Sequence, residues 1–325
     1  MRKLFGVVVA AVALMAFSLP VFAQDEVPTI AEIVVASATG ETPEFTALLA
    51  AVQAADPSVL EALSDPESTL TVFAPTDAAF AALGEETLTA VLGDSALVTD
   101  ILLFHVLGSQ VMSTDVVAGL ESGPFAAATL QGQYIDIAQT DMGITINGAN
   151  LVAVDITAAN GVIHVIDAVI LPESRTIAEI VVDLASAEEG AEFTALLAAV
   201  QAADPAVLEA LSDAEAELTV FAPTDAAFAA LGEETLTAVL ADAELVSSIL
   251  LYHVVAGVIH DDVLGGLLAD ADMMTLEVPT VNGAPVTFTA NEDGVFINDA
   301  QIIVTNVDAA NGVIHVIDAV ILPPM

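Results

Sequence analysis

Hydrophobic positions change rhythm along this chain. Phe45, Leu48, Leu49 and Val52 fall at i, i+3, i+4 and i+7, which predicts one buried stripe on a helix. That helix ends before Asp56-Pro57, because the residue preceding a proline is pushed out of the α region. A short helix follows through Val59, Leu60 and Leu63. Upstream, Thr29 stands three residues before Glu32, and Thr176 three before Glu179; Thr followed by Glu at this spacing is a capping box. Leu70–Ala74 is β-branched and aromatic and is stopped by Pro75, so it predicts a strand. Thr76 or Asp77 then caps a helix whose apolar side holds Phe80 and Leu83. Gly84 punctuates that helix and Glu85–Leu92 adds a turn or two. Leu97–Leu107 is long and apolar, a buried helix or a helix running into a strand.

The period then shortens to two. Tyr134–Ile137 and Ile144–Ile146 alternate around the turn residues Asp141-Met142-Gly143 and Asn147-Gly148. Leu151–Ile156 reads as a strand, Asn160-Gly161 as a tight turn, and Val162–Leu171 as a last strand closed by Pro172. Helices come first and antiparallel strands after, with one strand between the helices. This segregation predicts an α+β fold, not a doubly wound parallel sheet.

The whole pattern then recurs. Thr71–Leu92 returns unchanged as Thr219–Leu240, and Ala158–Pro172 as Ala309–Pro323; Glu44–Asp65 and Glu192–Asp213 differ only at Ser58/Ala206. The strand runs have counterparts at Val286–Thr289, Val295–Ile297, Ile302–Val307 and Val313–Leu322. An offset of about 150 residues is a domain, not a solenoid repeat. Two domains are expected, at residues 27–172 and 174–323, joined by the short Pro172–Arg175. The copies differ most between Ser109–Asn150 and Gly257–Ala300. There, two copies of one module would acquire different contacts.

Residues 1–23 have the form of a signal peptide: Arg2 and Lys3, then the apolar run Leu4–Phe17, then Val21-Phe22-Ala23 as a cleavage site near Ala23. A membrane anchor is the other reading, but this run is short for a span. No cysteine follows to carry a lipid. The mature chain is thus expected to be exported, secreted or periplasmic, with no transmembrane segment and a core that must hold without disulfides. Net charge is −43, and removing Arg2 and Lys3 leaves Arg175 as the one base against 46 acids. Such a surface excludes nucleic-acid binding by phosphate neutralisation. It keeps a very apolar composition dispersed and would respond to salt and divalent cations.

Together these motifs resemble the fasciclin (FAS1) domain. Val72–Phe80 and Val220–Phe228 fit its first box, Asn160–Pro172 and Asn311–Pro323 its second, and Tyr252-His253 its intervening Tyr-His motif. The first copy departs with Phe104-His105, losing the phenolic hydroxyl. The resemblance implies two tandem fasciclin-like domains, each an antiparallel β-wedge or sandwich packed with several helices, in secreted or surface proteins commonly used in adhesion. In animal members the residues around Tyr-His are implicated in integrin adhesion. The matching positions here are Asp100, Ile101, Leu102, Phe104 and His105, and Ile249, Leu250, Tyr252 and His253. Their apolar setting reads as core packing, with a surface-facing edge as the interaction reading.

No catalytic constellation stands out. His105, His164, His253 and His315 sit in apolar runs, where a structural role outweighs a metal or general-base role. There is no HExxH and no cysteine, so no metal or cofactor is called. His260, in Ile259-His260-Asp261-Asp262, reads as part of a solvated loop or, less simply, a weak cation site. Asp77 and Asp225 read as helix caps. Asp270-Ala271-Asp272 and Asn291–Gly294 are oxygen-rich but lack EF-hand periodicity. The leading expectation is a non-enzymatic adhesion or matrix module whose partner is a surface protein or polysaccharide. The alternative is a carrier of a small hydrophobic ligand such as a lipid or pigment.

Overall fold

A computed structural model describes residues 27–121, 123, 125–141, 143–187, 190–270, 275–291 and 293–324. The signal segment, Met142 of its turn, Ala271-Asp272 and Glu292 lie outside them. The chain divides into two compact units between Pro172 and Glu173.

In the first unit three helices open the fold: α1 (Ile30–Thr39), α2 (Thr46–Ala54) and α3 (Pro57–Ser64). Strand β1 (Leu70–Pro75) follows, then α4 (Asp77–Ala82), α5 (Glu85–Leu92), α6 (Ser95–Phe104) and β2 (Val106–Leu107). The rest is α7 (Ser113–Leu120), β3 (Phe125–Ala128), β4 (Tyr134–Thr140), β5 (Gly143–Ile146), β6 (Ala149–Ala158) and β7 (Gly161–Ile166). The second unit repeats this order with α8 (Ile177–Ala185), α9 (Thr194–Ala202), α10 (Pro205–Ser212), β8 (Leu218–Pro223), α11 (Asp225–Ala230), α12 (Glu233–Leu240) and α13 (Ala243–Tyr252). It closes with β9 (Val254–Ala256), α14 (Asp261–Asp270), β10 (Thr275–Pro279), β11 (Pro285–Asn291), β12 (Gly294–Ile297), β13 (Ala300–Ala309) and β14 (Gly312–Ile317). The α+β class and the run from helix into strand at Leu97–Leu107 are as the sequence indicates.

Each unit forms one seven-stranded sheet, ordered β2-β1-β7-β6-β5-β4-β3 in the first and β9-β8-β14-β13-β12-β11-β10 in the second. All pairs are antiparallel except one: β1 runs parallel to β7, and β8 to β14. The strand between the helices therefore joins the last strand of its own domain, and the whole intervening chain is the crossover. This pair is buried on both faces. Val72 and Ala74 pack into the helical core with Ile163 and Val165, while Phe73 points to the opposite core with Ile135, Ile146 and Ile166. A strand covered on both sides reads as a continuous apolar run, as Leu70–Ala74 does.

Polar groups inside this pair are all in use. The fully buried Thr71 hydroxyl donates to the Ser109 carbonyl at 2.7 Å and accepts the Val111 N–H at 2.8 Å. Asn160, expected as a turn residue, is buried. Its Oδ1 accepts from the Ile30 N–H (2.9 Å) and its Nδ2 donates to the Leu63 carbonyl (2.9 Å). It thereby ties α1 and α3 to the start of β7. Gly161 beside it has φ +146, and a Cβ there would lie 1.9 Å from the Leu70 carbonyl oxygen. Gly312 is the same, against Leu218.

Caps follow the sequence with one reassignment. Thr29 and Thr176 form full capping boxes with Glu32 and Glu179, and Thr76 caps α4. Asp77 instead serves a different helix. Its carboxylate accepts from the Thr46 hydroxyl (2.7 Å) and the Ala47 N–H (2.9 Å) at the start of α2. Glu44 returns the favour by accepting the Asp77 N–H at 2.8 Å. Asp225 repeats this for α9 with Thr194 and Ala195. The helix needs this remote cap because its own N-cap residue, Phe45, is a buried aromatic held at φ 65.

Two further departures have physical causes. The last strand ends at Ile166, not Leu171, because Asp167 turns aside to accept the Asn150 N–H and side-chain amide (2.7 and 2.8 Å). Helices α7 and α14 and edge strands β3 and β10 were not expected. Helix α7 buries Val116 alone among its residues; α14 buries Leu264 and Leu268 one turn apart, but Gly265-Gly266 between them masks that stripe in the sequence.

We expect residues 27–172 and 174–323, expressed separately, each to unfold in a single cooperative denaturant transition; a non-cooperative, protease-sensitive half would overturn the boundaries. In the second half, Gly312→Ala should lower stability by at least ~3 kcal/mol, through both the backbone conformation and the collision with Leu218.

Candidate functional site

The sequence singled out nine residues around the aromatic-His pairs. The structure buries eight of them: Ile101, Leu102, Phe104 and His105 at the end of α6, and Ile249, Leu250, Tyr252 and His253 at the end of α13. Asp100 alone is exposed. The two copies of the pair do the same work. His105 Nδ1 lies 2.7 Å from the Ile101 carbonyl, one turn back, and its Nε2 receives the Ile170 N–H at 3.2 Å. His253 repeats this with Ile249 and Ile321 (2.8 and 3.1 Å). A carbonyl can only accept and an amide N–H can only donate, so the proton sits on Nδ1 and the ring is neutral. Burial pushes both imidazoles down to about 4. Each ring thus pins the segment after the last strand to the end of a helix, and neither nitrogen is left for a ligand or a proton relay.

The second histidine pair has the opposite tautomer. His164 Nε2 donates to the Val111 carbonyl (2.9 Å), and its Nδ1 accepts the Asp155 N–H (3.3 Å). His315 does the same with Ile259 and Asn306. Burial lowers both pKa values, against the opposing pull of the backbone carbonyl. His164 also stacks on Phe73, and His315 on Phe221. All four histidines therefore serve the fold.

The phenol missing from the first copy has a visible role in the second. Tyr252 Oη donates to the Pro285 carbonyl and accepts from Asn298 Nδ2, both at 3.0 Å. It anchors β11 to the turn before β13. Phe104 fills the same place in the core without those bonds.

The region where the copies diverge, α7–β5 and α14–β12, occupies one end of each sheet. Where it meets the shared scaffold, the contacts change as matched pairs. In the first domain the Ser113 N–H donates to the Asp155 carboxylate at 2.8 Å, and its hydroxyl adds a second bond. Burial works against this carboxylate, but the Ser113 bonds and the neighbouring His164 hold its pKa below the ordinary value. In the second domain the acid changes sides: Asp261 starts α14, and Asn306 takes the place of Asp155. The Asn306 Oδ1 accepts the Asp261 N–H at 3.0 Å and its Nδ2 donates to the Asp261 carboxylate. Both residue 155 and residue 306 have positive φ (59 and 57) at the irregular point of the long strand, a conformation Asp and Asn tolerate best among non-glycines.

His260 corrects the sequence reading. It is buried, not solvated, and its Nε2 lies 2.8 Å from Asp308 Oδ1. The first domain has Met112 and Thr157 at these positions, so the pair belongs to the second alone. The isolated His-Asp-Asp string gave no hint of it, since Asp308 lies on β13. Among the described residues no three His, Asp or Glu side chains converge on a metal-sized centre, and no single helix is long and apolar enough to cross a membrane. Arg175 pairs with Glu173 and Asp183 at the surface, a contact worth little in water.

Replacing His253 by Ala should cost roughly 2–4 kcal/mol, from a cavity and a stranded Ile321 amide. Because the folded pKa is depressed to about 4, the unfolded chain binds the extra proton between about pH 6.5 and 4. The stabilisation is present above that window and is lost as pH falls through it. The slope of unfolding free energy against pH should be shallower in His253→Gln than in the parent by one proton, about 1.4 kcal/mol per pH unit. Equal slopes would refute the neutral buried ring.

The fasciclin domain model matches residues 43–172 and again 191–323. Protein sll1483 of Synechocystis sp. is 44% identical over 147 residues, 45% of this chain and 74% of that one. The transforming growth factor-beta-induced protein ig-h3 of Sus scrofa is 30% identical over 257 residues, 78% of this chain but 34% of its own length. The cell surface glycolipoprotein MPB83 of Mycobacterium bovis is 37% identical over 108 residues, 33% of this chain and 44% of that one. The chain thus spans only about a third of the longer vertebrate relative. With both boxes, the buried aromatic-His pair and the β-wedge present twice, the chain belongs to the fasciclin-domain family and carries that domain in tandem.

Proposed function

We propose that this chain is an exported, non-enzymatic adhesion module that binds a surface or matrix partner, protein or polysaccharide, through both of its domains. The observation that carries this reading is where the two copies differ. Their helical layers and the β1–β7 and β8–β14 pairs are nearly the same, while α7–β5 and α14–β12 diverge at one end of each sheet. Selection that keeps a scaffold and varies one surface is what a binding module needs. Duplication then adds affinity without new chemistry, because the second contact becomes intramolecular. Two relatives support the setting: one is named a cell-surface protein, and another aligns across both domains.

The buried Tyr-His region is not the contact in this reading, apart from the exposed Asp100. The partner surface is instead the sheet end of each domain taken by itself, β3–β5 in the first and β10–β12 in the second. Charge narrows the partner further: 46 acids repel anionic polymers and favour neutral or basic surfaces. Divalent cations act at this surface as counter-ions that screen the acids, since no described cluster would chelate one.

The test is retention of the full chain, and of each half, on the extracellular matrix of the producing culture. The tandem chain should be retained at least tenfold more strongly than either half. Exchanging residues 109–150 for 257–300 should transfer the binding preference of one half to the other. No retention, or halves that bind as tightly as the pair, would sink the proposal.

A further inference from the structure

The second domain holds a cavity of about 270 Å³ between α9, α11, α12, α13 and the segment after β14. Its walls are aliphatic and aromatic, with Phe228, Leu236, Val239, Ile249 and Val320 among them. The same place in the first domain, lined by the matching Phe80, Leu88, Val91, Ile101 and Val169, encloses about 10 Å³, near the limit for one water. These matched residues are of identical type, so the difference does not lie in them. The linings part at the rim, where Leu322, Pro323 and Pro324 join the second cavity and Glu173 holds the place in the first domain that Pro324 holds in the second.

The geometry points to a binding site for a small uncharged apolar molecule in the second domain. Three features define the ligand. An apolar cavity of about 150 Å³ stays dry and admits benzene, so 270 Å³ takes a molecule of roughly ten to twelve carbons. The lining has no cationic group for a carboxylate or phosphate. His253 borders the cavity, but both its nitrogens are engaged by Ile249 and Ile321. The remaining polar side chain in the lining is the hydroxyl of Thr235, exposed on α12. The ligand is therefore a neutral hydrocarbon bearing at most a terminal hydroxyl, which would sit at the Thr235 end. Helix α12 covers the cavity without fully burying any residue of its own, so it can shift to admit the molecule at little cost to the core. This inference is independent of the adhesion reading: it concerns the helical layer, not the sheet end.

The probe is 1-decanol titrated into the full chain at pH 8, with decanoate as its charged counterpart. We expect one saturable site per chain for 1-decanol and at least tenfold weaker binding of decanoate. Methyl-resolved NMR should show shifts at Leu236, Val239, Ile249 and Val320, while Leu88, Val91, Ile101 and Val169 stay in place. Val239→Phe should weaken 1-decanol at least tenfold, and Val91→Phe should leave it unchanged. The proposal is overturned by no saturable binding, by decanoate binding as well as the alcohol, or by methyl shifts confined to the first domain. The NMR map needs no variant, so it decides the matter even if Val239→Phe does not fold.

Discussion

Everything in each domain hangs on the parallel contact between β1 and β7, repeated as β8 and β14. It is the one parallel pair in each sheet, and it joins strands about 90 residues apart in sequence, so its loop-closure cost is large. What offsets that cost is burial on both faces, with the helical core on one side and the Phe73 core on the other. A backbone so enclosed cannot turn to water, and its surroundings supply partners. Thr71 takes up the chain leaving β2, Asn160 ties the first and third helices to the turn before β7, and His164 fastens the loop at Val111. Gly161 is required because a carbonyl of β1 occupies the space its side chain would fill. The two sequence boxes that define the family are thus the two halves of one contact, separated in sequence and adjacent in space.

This explains which parts of the structure were legible in the sequence. Capping boxes and the helix stop before Asp56-Pro57 are local signals, and they read correctly because their partners lie within one turn; the stripe of α2 read correctly at Leu48, Leu49 and Val52, but Phe45 stands just outside the helix as its left-handed N-cap. Leu70–Ala74 was legible as a strand for a tertiary reason that left a local mark: burial on both faces makes it apolar throughout. The roles of Asp77 and His260 were not legible. Asp77 caps a helix some 30 residues earlier, and His260 pairs with an aspartate 48 residues later. Nothing in their immediate neighbours records either contact. Helix α14 was hidden for the opposite reason. Gly265-Gly266 sits where a helix former is expected, and its packing against β10 and β11 overrides that local preference.

The repeat adds information that one copy would withhold. Residues that change together across the copies mark contacts. Ser113 with Asp155 becomes Asp261 with Asn306, and Met112 with Thr157 becomes His260 with Asp308. In the first exchange one carboxylate is kept and moved to the other element, so a single acid still faces a donor. In the second, an apolar-polar pair becomes an imidazole-carboxylate pair with both members largely buried. Both members of each pair differ together between the copies.

The same comparison bears on how the domain accommodates function. The histidines that a sequence-based search would nominate for chemistry are held by backbone groups on both nitrogens, with tautomers dictated by those partners. A ring so held is a structural staple and is unsuited to proton transfer. Variation between the copies is greatest at the sheet end distal to β1, and where it reaches the staples, at Asp155/Asn306 and Val111/Ile259, the histidine is held by the main chain of the residue that changes. Those are also the places where a change in contact does not disturb the parallel pair. A domain whose core is closed by remote contacts varies most at its periphery, and a second copy doubles that periphery while the parallel pair stays unchanged.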